Sequence, residues 1–249
     1  ALPISSGTHD SQPRWSPDGS RLAFVRSPEK DGKPAPPQVF VLSMRGGEPV
    51  QVTDVAGGAG SPAWSPDGKM IAFGSGTSPE DTVTKKAEDG YKSDVHYITK
   101  AVYRANGQGY LDFTHPGHIW VVATPQSSSD KPASKQITFG KYDADDFLWS
   151  TDSKSIVFTT LQVDEPYYEG DRADIYRVSV AGGTAELVNN VKIGVGSMSL
   201  SPDGKRIAFH SSPNEPVQSY TEPDLYVLDL VPGAQPKNLT VDYDYGVGD

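Results

Sequence analysis

The chain has no cysteine in its 249 residues. Disulfides and thiolate chemistry are therefore excluded, and the absence of cysteine leaves the compartment open; a periplasmic or secreted placement is expected ahead of a cytoplasmic one. It also lacks an excess of positive charge. Lys and Arg number 22 against 32 Asp and Glu, a net charge of −10, so no basic stripe is present to neutralise nucleic-acid phosphate. The acidity reads as a solubility surface. No apolar run approaches the ~18 residues of a membrane span, and no signal-peptide pattern follows Ala1. There is no Gly-x-Ser-x-Gly, no phosphate loop and no dinucleotide fingerprint. No catalytic residue, cofactor site or metal site is expected.

What the chain does have is turn residues, with 25 Gly and 21 Pro against a modest 36% hydrophobic content. That balance suits many short strands. The glycines and prolines also recur in a pattern. Trp64-Ser65-Pro66-Asp67-Gly68 running to Phe73 is repeated as Trp15-Ser16-Pro17-Asp18-Gly19 running to Phe24. A third copy, Trp149-Ser150-Thr151-Asp152-Ser153, runs to Phe158, and a fourth, Leu200-Ser201-Pro202-Asp203-Gly204, runs to Phe209. The intervals between copies are 49, 85 and 51 residues, and strands repeating every ~40–50 residues mean propeller blades. The long interval is one period plus an insertion. Within the motif, Pro presets φ, Asp can bond the backbone and Gly supplies a positive φ, so each copy is a hairpin turn between two strands. Ser153 stands where Gly is expected, at a cost of roughly 1 kcal/mol if it is left-handed.

The expected fold is an all-β propeller of four-stranded antiparallel blades, four of them in this chain. Blade one spans 12–53. Blade two spans 61–138 and carries an insertion at 75–116. Blades three and four span 146–189 and 197–240. Their outermost strands are predicted at 48–53, 134–138, 184–188 and 235–240. Residues 1–6 resemble the ends of those strands and read as the last strand of a preceding blade, which leads us to expect a piece of a larger ring. In such blades the tight first-to-second and third-to-fourth turns share one face. The long second-to-third loops, 27–37, 75–116, 161–172 and 212–222, gather on the other, where recognition usually lives.

Few residues in those loops suggest chemistry. Asp164, Glu165, Glu169, Asp171 and Asp174 cluster about Tyr167-Tyr168 in blade three. They read either as a solvated acidic loop or as a site for a cationic group such as a peptide amino terminus, with Glu165, Tyr168 and Glu169 as the substrate-contacting residues. Asp143, Asp145 and Asp146 read as a blade link. His115 and His118 flank Pro116-Gly117 and read as ordinary histidines rather than metal ligands.

The Trp-Ser-Pro-Asp-Gly-x-x-Ile-Ala-Phe repeat resembles the propellers of two families. One is the Tol–Pal periplasmic propeller protein. The other is the prolyl oligopeptidase family of serine peptidases, in its acylaminoacyl-peptidase and dipeptidyl-peptidase branch. Three stretches favour the peptidases: Tyr97-Ile98-Thr99-Lys100 through Gly107-Gln108-Gly109-Tyr110, followed by His118-Ile119-Trp120-Val121-Val122; Asp164-Glu165-Pro166-Tyr167-Tyr168; and Pro223-Asp224-Leu225-Tyr226-Val227. The resemblance implies a non-catalytic domain that gates and docks peptide substrates for a C-terminal α/β-hydrolase domain. That domain would be its partner, along with the peptide. Neither nucleic acid nor a membrane is an expected partner, and oligomerisation is left open. The Tol–Pal resemblance implies instead a protein-binding interaction module.

Overall fold

A computed structural model describes residues 10–30, 32–78, 98–105, 109–127, 129–164, 172–212, 222–243 and 245–247. The expected strand at 1–6, much of the insertion, and Glu165, Tyr168 and Glu169 lie outside the described residues. Among the described residues all regular structure is β, and no helix is long and apolar enough to cross a membrane.

Four antiparallel sheets of four strands form the blades of a β-propeller. The first contains β1 (Ser11–Trp15) and β2 (Arg21–Arg26). After a small hairpin, β3 (Glu29–Lys30) and β4 (Lys33–Pro34), it is completed by β5 (Gln38–Ser43) and β6 (Val50–Gln51). The second contains β7 (Gly60–Trp64) and β8 (Met70–Ser75). A further hairpin, β9 (Arg104–Ala105) and β10 (Gly109–Tyr110), precedes its β11 (His118–Ala123) and β12 (Lys135–Gln136). The third is β13 (Asp145–Trp149), β14 (Ser155–Thr160), β15 (Ala173–Ser179) and β16 (Glu186–Val191). The fourth is β17 (Gly196–Leu200), β18 (Arg206–Ser211), β19 (Asp224–Asp229) and β20 (Lys237–Asn238).

Each motif turn is built the same way, and the serine contributes more than the sequence pattern suggests. In blade two the Ser65 hydroxyl donates to Asp67 Oδ1 at 2.7 Å and accepts the Met70 amide at 2.9 Å, while Asp67 also accepts the Lys69 amide at 3.1 Å. Ser16, Ser150 and Ser201 repeat the arrangement with Asp18, Asp152 and Asp203. The serine hydroxyl, foremost, holds all four carboxyls below the usual range. The four turns lie side by side on one face of the disc. Pro17 lies beside Gly68, the Asp67 amide donates to Ser153 Oγ at 3.1 Å, and Thr151 lies against Gly204.

Ser153 is left-handed, with φ of 60°, in the position held by Gly19, Gly68 and Gly204. Ser153→Gly is therefore expected to stabilise the chain by about 0.5–1 kcal/mol. Relief of the left-handed strain exceeds the added unfolded-state entropy and the loss of one exposed hydrogen bond. The midpoint of urea unfolding checks this, and a lowered midpoint would show that the contact to Asp67 outweighs the strain.

The cores lie between blades. Each second strand offers a phenylalanine that pairs with an aromatic ring of the third strand: Phe24–Phe40, Phe73–Trp120, Phe158–Tyr176 and Phe209–Tyr226, with centroids 5.7–6.4 Å apart. From the second blade onward this pair faces the preceding blade. Phe73 and Trp120 share a cluster with Ala23, Val39 and Val41 of blade one. Phe158 packs with Ala72, Ile119 and Val121 of blade two, and Phe209 with Val157 and Ile175 of blade three. A pair of faces, each apolar, explains why both sides of these strands carry apolar residues.

Three outermost strands are shorter than the sequence pattern predicts. Pro49 and Pro236 immediately precede β6 and β20 and bring no amide donor. Beyond these strands a threonine leaves the ladder's backbone pattern and offers its hydroxyl instead. Thr53, Thr138 and Thr240 accept the amides of Val39, Ile119 and Leu225 at 2.8–3.0 Å. Blade three has Asn189 at that place, and its outer strand runs on to Val191.

Candidate functional site

The innermost strands β1, β7, β13 and β17 stand around an axis, and each is irregular at the same point. Pairing with the second strand shifts between Ser11 and Arg14, Gly60 and Ala63, Asp145 and Phe147, and Gly196 and Ser199. In each case the residue three before the motif's Trp or Leu is left-handed: Gln12, Ser61, Asp146 and Ser197, with φ of 52°, 51°, 24° and 51°. None is glycine, so each position carries strain of about 1–2 kcal/mol. Bulges of this kind bend a strand and re-aim its side chains. The Gln12 side-chain oxygen accepts the Ser61 amide at 2.6 Å, joining the first two bulges.

The bulges line two adjoining cavities that share Ser61, Asp146 and Phe147. The larger, about 660 Å³, opens where second strands end and third strands begin, on the long-loop face. Its walls include Gly57, Gly58, Gly74, Gly76 and Gly117, with Asp145 and Asp146 at one side. With no side chains on these residues a chain can approach the wall closely, although the amides of Gly57, Gly58 and Gly117 are already bonded to Thr77, Val55 and Asp143. The smaller, about 390 Å³, continues along the axis past Arg14, Pro62, Leu148 and Met198. Asp145 is held above the ordinary carboxylate range, by desolvation in this setting and then by its neighbours Asp143 and Asp146.

The acidic run 143–146 is therefore more than a blade link. Asp143 does serve as one: its carboxylate accepts the Gly117 amide at 2.6 Å and its carbonyl accepts the Thr160 hydroxyl at 2.6 Å. Asp145 and Asp146 face the axial cleft. The glycine-rich sequence at 57–60 was the available sign of a close backbone approach. The bulge residues share no side-chain type and gave none.

A third cavity, about 510 Å³, is a groove between blades two and three lined by His118, Phe139, Tyr142, Phe158 and Tyr176. Phe139 is 66% exposed there. The acidic loop of blade three begins at this rim. Asp164 pairs with Lys141, accepts the Tyr142 hydroxyl at 3.2 Å, and gives its carbonyl to Lys100 at 2.6 Å. Lys141 first, and then Tyr142, keep its carboxyl below the usual range. At the far end Asp174 is buried and accepts the Asn190 amide group at 2.6 Å. Both ends of the loop are thus tied into the scaffold.

His115 and His118 do not converge. The His115 ring bonds Asp112 at 2.7 Å, whereas His118 Nε2 donates to the Gly140 carbonyl at 3.1 Å. Burial, foremost, lowers the His118 pKa, and its Nδ1 lies 3.3 Å from the Thr138 hydroxyl. A neutral ring accepts from that hydroxyl. Stability from this neutral His is full above the unfolded value of ~6.5 and is lost as pH falls through that value toward the lower folded one. Gln38 occupies the matching place in blade one and accepts the Thr53 hydroxyl at 2.8 Å. His118→Gln should therefore keep the latch and abolish this acid-sensitive step. Urea unfolding of both proteins between pH ~7.5 and ~5.5 tests it, and parallel losses of stability would sink the assignment.

No protein-family model matches the chain. Over 152 residues it is 31% identical to an uncharacterized peptidase, YuxL, of Bacillus subtilis, a match covering 59% of this chain and 21% of that protein. Its fold is similar to the acylaminoacyl peptidase of Pyrococcus horikoshii, with a TM-score of 0.60 at 20% identity over 96% of this chain and 33% of that one. It is also similar to TolB of Acinetobacter baumannii, with a TM-score of 0.54 at 18% identity over 93% and 43% respectively. The chain thus spans about a fifth of the curated peptidase and a third of the acylaminoacyl peptidase. Propellers of peptidases and of TolB are both among its neighbours, as the motifs implied.

Proposed function

We propose that this chain is the propeller of a serine peptidase, which gates and docks peptide substrates for an α/β-hydrolase domain elsewhere in the same protein. The observation that carries this reading is the axial cleft, with glycine backbone and two carboxylates on the long-loop face. The glycine wall lets an extended peptide lie close against the cleft, and Asp145 and Asp146 favour cationic groups along it. The sequence likeness to a peptidase supports the same reading. Glu165, Tyr168 and Glu169 remain the substrate-contacting residues of this proposal, since their loop starts from Asp164 at the rim of the aromatic groove. The catalytic Ser, Asp and His belong to the hydrolase domain.

The deciding experiment is to read the frame that encodes this chain and to assay its full product. The proposal requires a Gly-x-Ser-x-Gly with Asp and His after it, fluorophosphonate labelling of that serine, and peptide cleavage. In that enzyme Glu165→Gln and Glu169→Gln should raise KM for free-amino-terminus peptides roughly ten- to a hundred-fold and affect blocked peptides much less. A frame that joins the propeller only to a separate N-terminal α/β domain would favour an interaction module of the Tol–Pal kind.

A further inference from the structure

Outer strands expose unpaired backbone and are blunted in most propeller blades. Three of the four here follow that practice. β6, β12 and β20 have two residues each, with Pro49, Pro132 and Pro236 close before them and Lys135 and Lys237 within two of them. Short length, proline and lysine all discourage pairing with another chain. β16 lacks these three protections, though it carries a bulge opposite Ile175 and Tyr176. It runs six residues, Glu186–Val191, contains neither Pro nor Lys, and among the described residues is paired with β15 alone. Glu186 and Asn190 are exposed, and Leu187 is 51% exposed. In an antiparallel ladder about half of a strand's backbone groups face away from its partner, so β16 presents an open edge.

We infer that β16 pairs antiparallel with β16 of a second copy of this chain across a twofold axis. The contact is isologous and closes on itself. Charge favours this occupant. Glu186 is the strand's one charged residue and stands at its start, and exposed Lys192 follows its end. Antiparallel pairing brings the Glu186 end of each copy to the Lys192 end of the other, and the apolar surface of Leu187 is covered. The bulge opposite Ile175 and Tyr176 lies near the middle of the strand, close to the axis, where both copies bend alike. Repulsion between two chains of charge −10 is limited by a Debye length of about 8 Å at physiological salt. This inference is independent of the peptidase reading.

Sedimentation equilibrium of the 249-residue chain up to about 200 µM should show a concentration-dependent species at twice the mass of one chain. Leu187→Lys gives β16 the charge that two other outer strands carry, and should weaken the dimer at least about tenfold. Glu186→Lys should weaken it as well, and adding Lys192→Glu should restore it. These two exposed positions keep the test decisive if Leu187→Lys fails to fold. A monomer throughout the range overturns the proposal, as does a dimer indifferent to all three changes.

Discussion

Trp149→Ala is expected to cost about 3–5 kcal/mol, the range for truncating a buried Trp, and the same change at Trp15 less than about 0.5 kcal/mol. The two residues hold the same place in the repeat. Trp149 is 6% exposed, packs with Ile119, Val121 and Ile156, and its Nε1 donates to the Ala63 carbonyl at 2.9 Å. Trp64 behaves likewise, at 9% exposed, with Nε1 donating to the Arg14 carbonyl at 3.0 Å and the Arg21 guanidinium 5.1 Å from its ring. In both, the indole reaches back to the residue just before the preceding blade's own Trp. Trp15 is 57% exposed. The energy of the motif's Trp therefore belongs to the contact between blades, not to the hairpin that carries it. Trp149→Phe separates the two terms, since it keeps most of the apolar surface and leaves the Ala63 carbonyl without its donor, at about 1–3 kcal/mol. Guanidinium unfolding of the three variants provides the check. A Trp15→Ala cost equal to that of Trp149→Ala would return the effect to the hairpin.

The contrast among these tryptophans marks what was legible in the sequence. The repeat gave the number of blades in the chain and their four turns on one face, because Pro, Asp and Gly have fixed backbone preferences that act locally. The loops expected at 27–37, 75–116, 161–172 and 212–222 placed the ends of the second strands and the starts of the third within a residue. The outer strands were predicted too long in blades one, two and four, because a threonine hydroxyl at Thr53, Thr138 or Thr240 replaces a backbone acceptor and ends the ladder without altering the apolar pattern. The axial cleft was not legible. Gln12, Ser61, Asp146 and Ser197 are left-handed through the packing of four strands about one axis, a tertiary constraint that selects no single residue type. The acidic run at 143–146 looked uniform, yet Asp143 is consumed by backbone bonds while Asp145 and Asp146 face the cleft.

Gly58→Ala tests whether the glycine wall of that cleft is a requirement of the backbone. Gly58 has φ of +80°, where an L side chain is strained by about 1–2 kcal/mol. A Cβ there would lie 2.9 Å from Pro37 Cδ and 3.1 Å from its Cγ. These are ring atoms of a residue whose carbonyl accepts the Ala59 amide at 2.7 Å, so neither partner can swing aside as a long side chain would. Overpacking of this kind adds about 1–3 kcal/mol. The expected loss is then about 2–5 kcal/mol, a large share of the 5–15 kcal/mol that holds an ordinary domain. Gly60, two residues on, is the control. A Cβ there would meet nothing nearer than the Gln12 side-chain oxygen at 3.9 Å, and its φ lies outside the left-handed region. Gly60→Ala should change stability by no more than about 0.5 kcal/mol. If Gly58→Ala is as mild as Gly60→Ala, the link from blade one to blade two can shift away from Pro37, and the wall of the cleft is pliable rather than built.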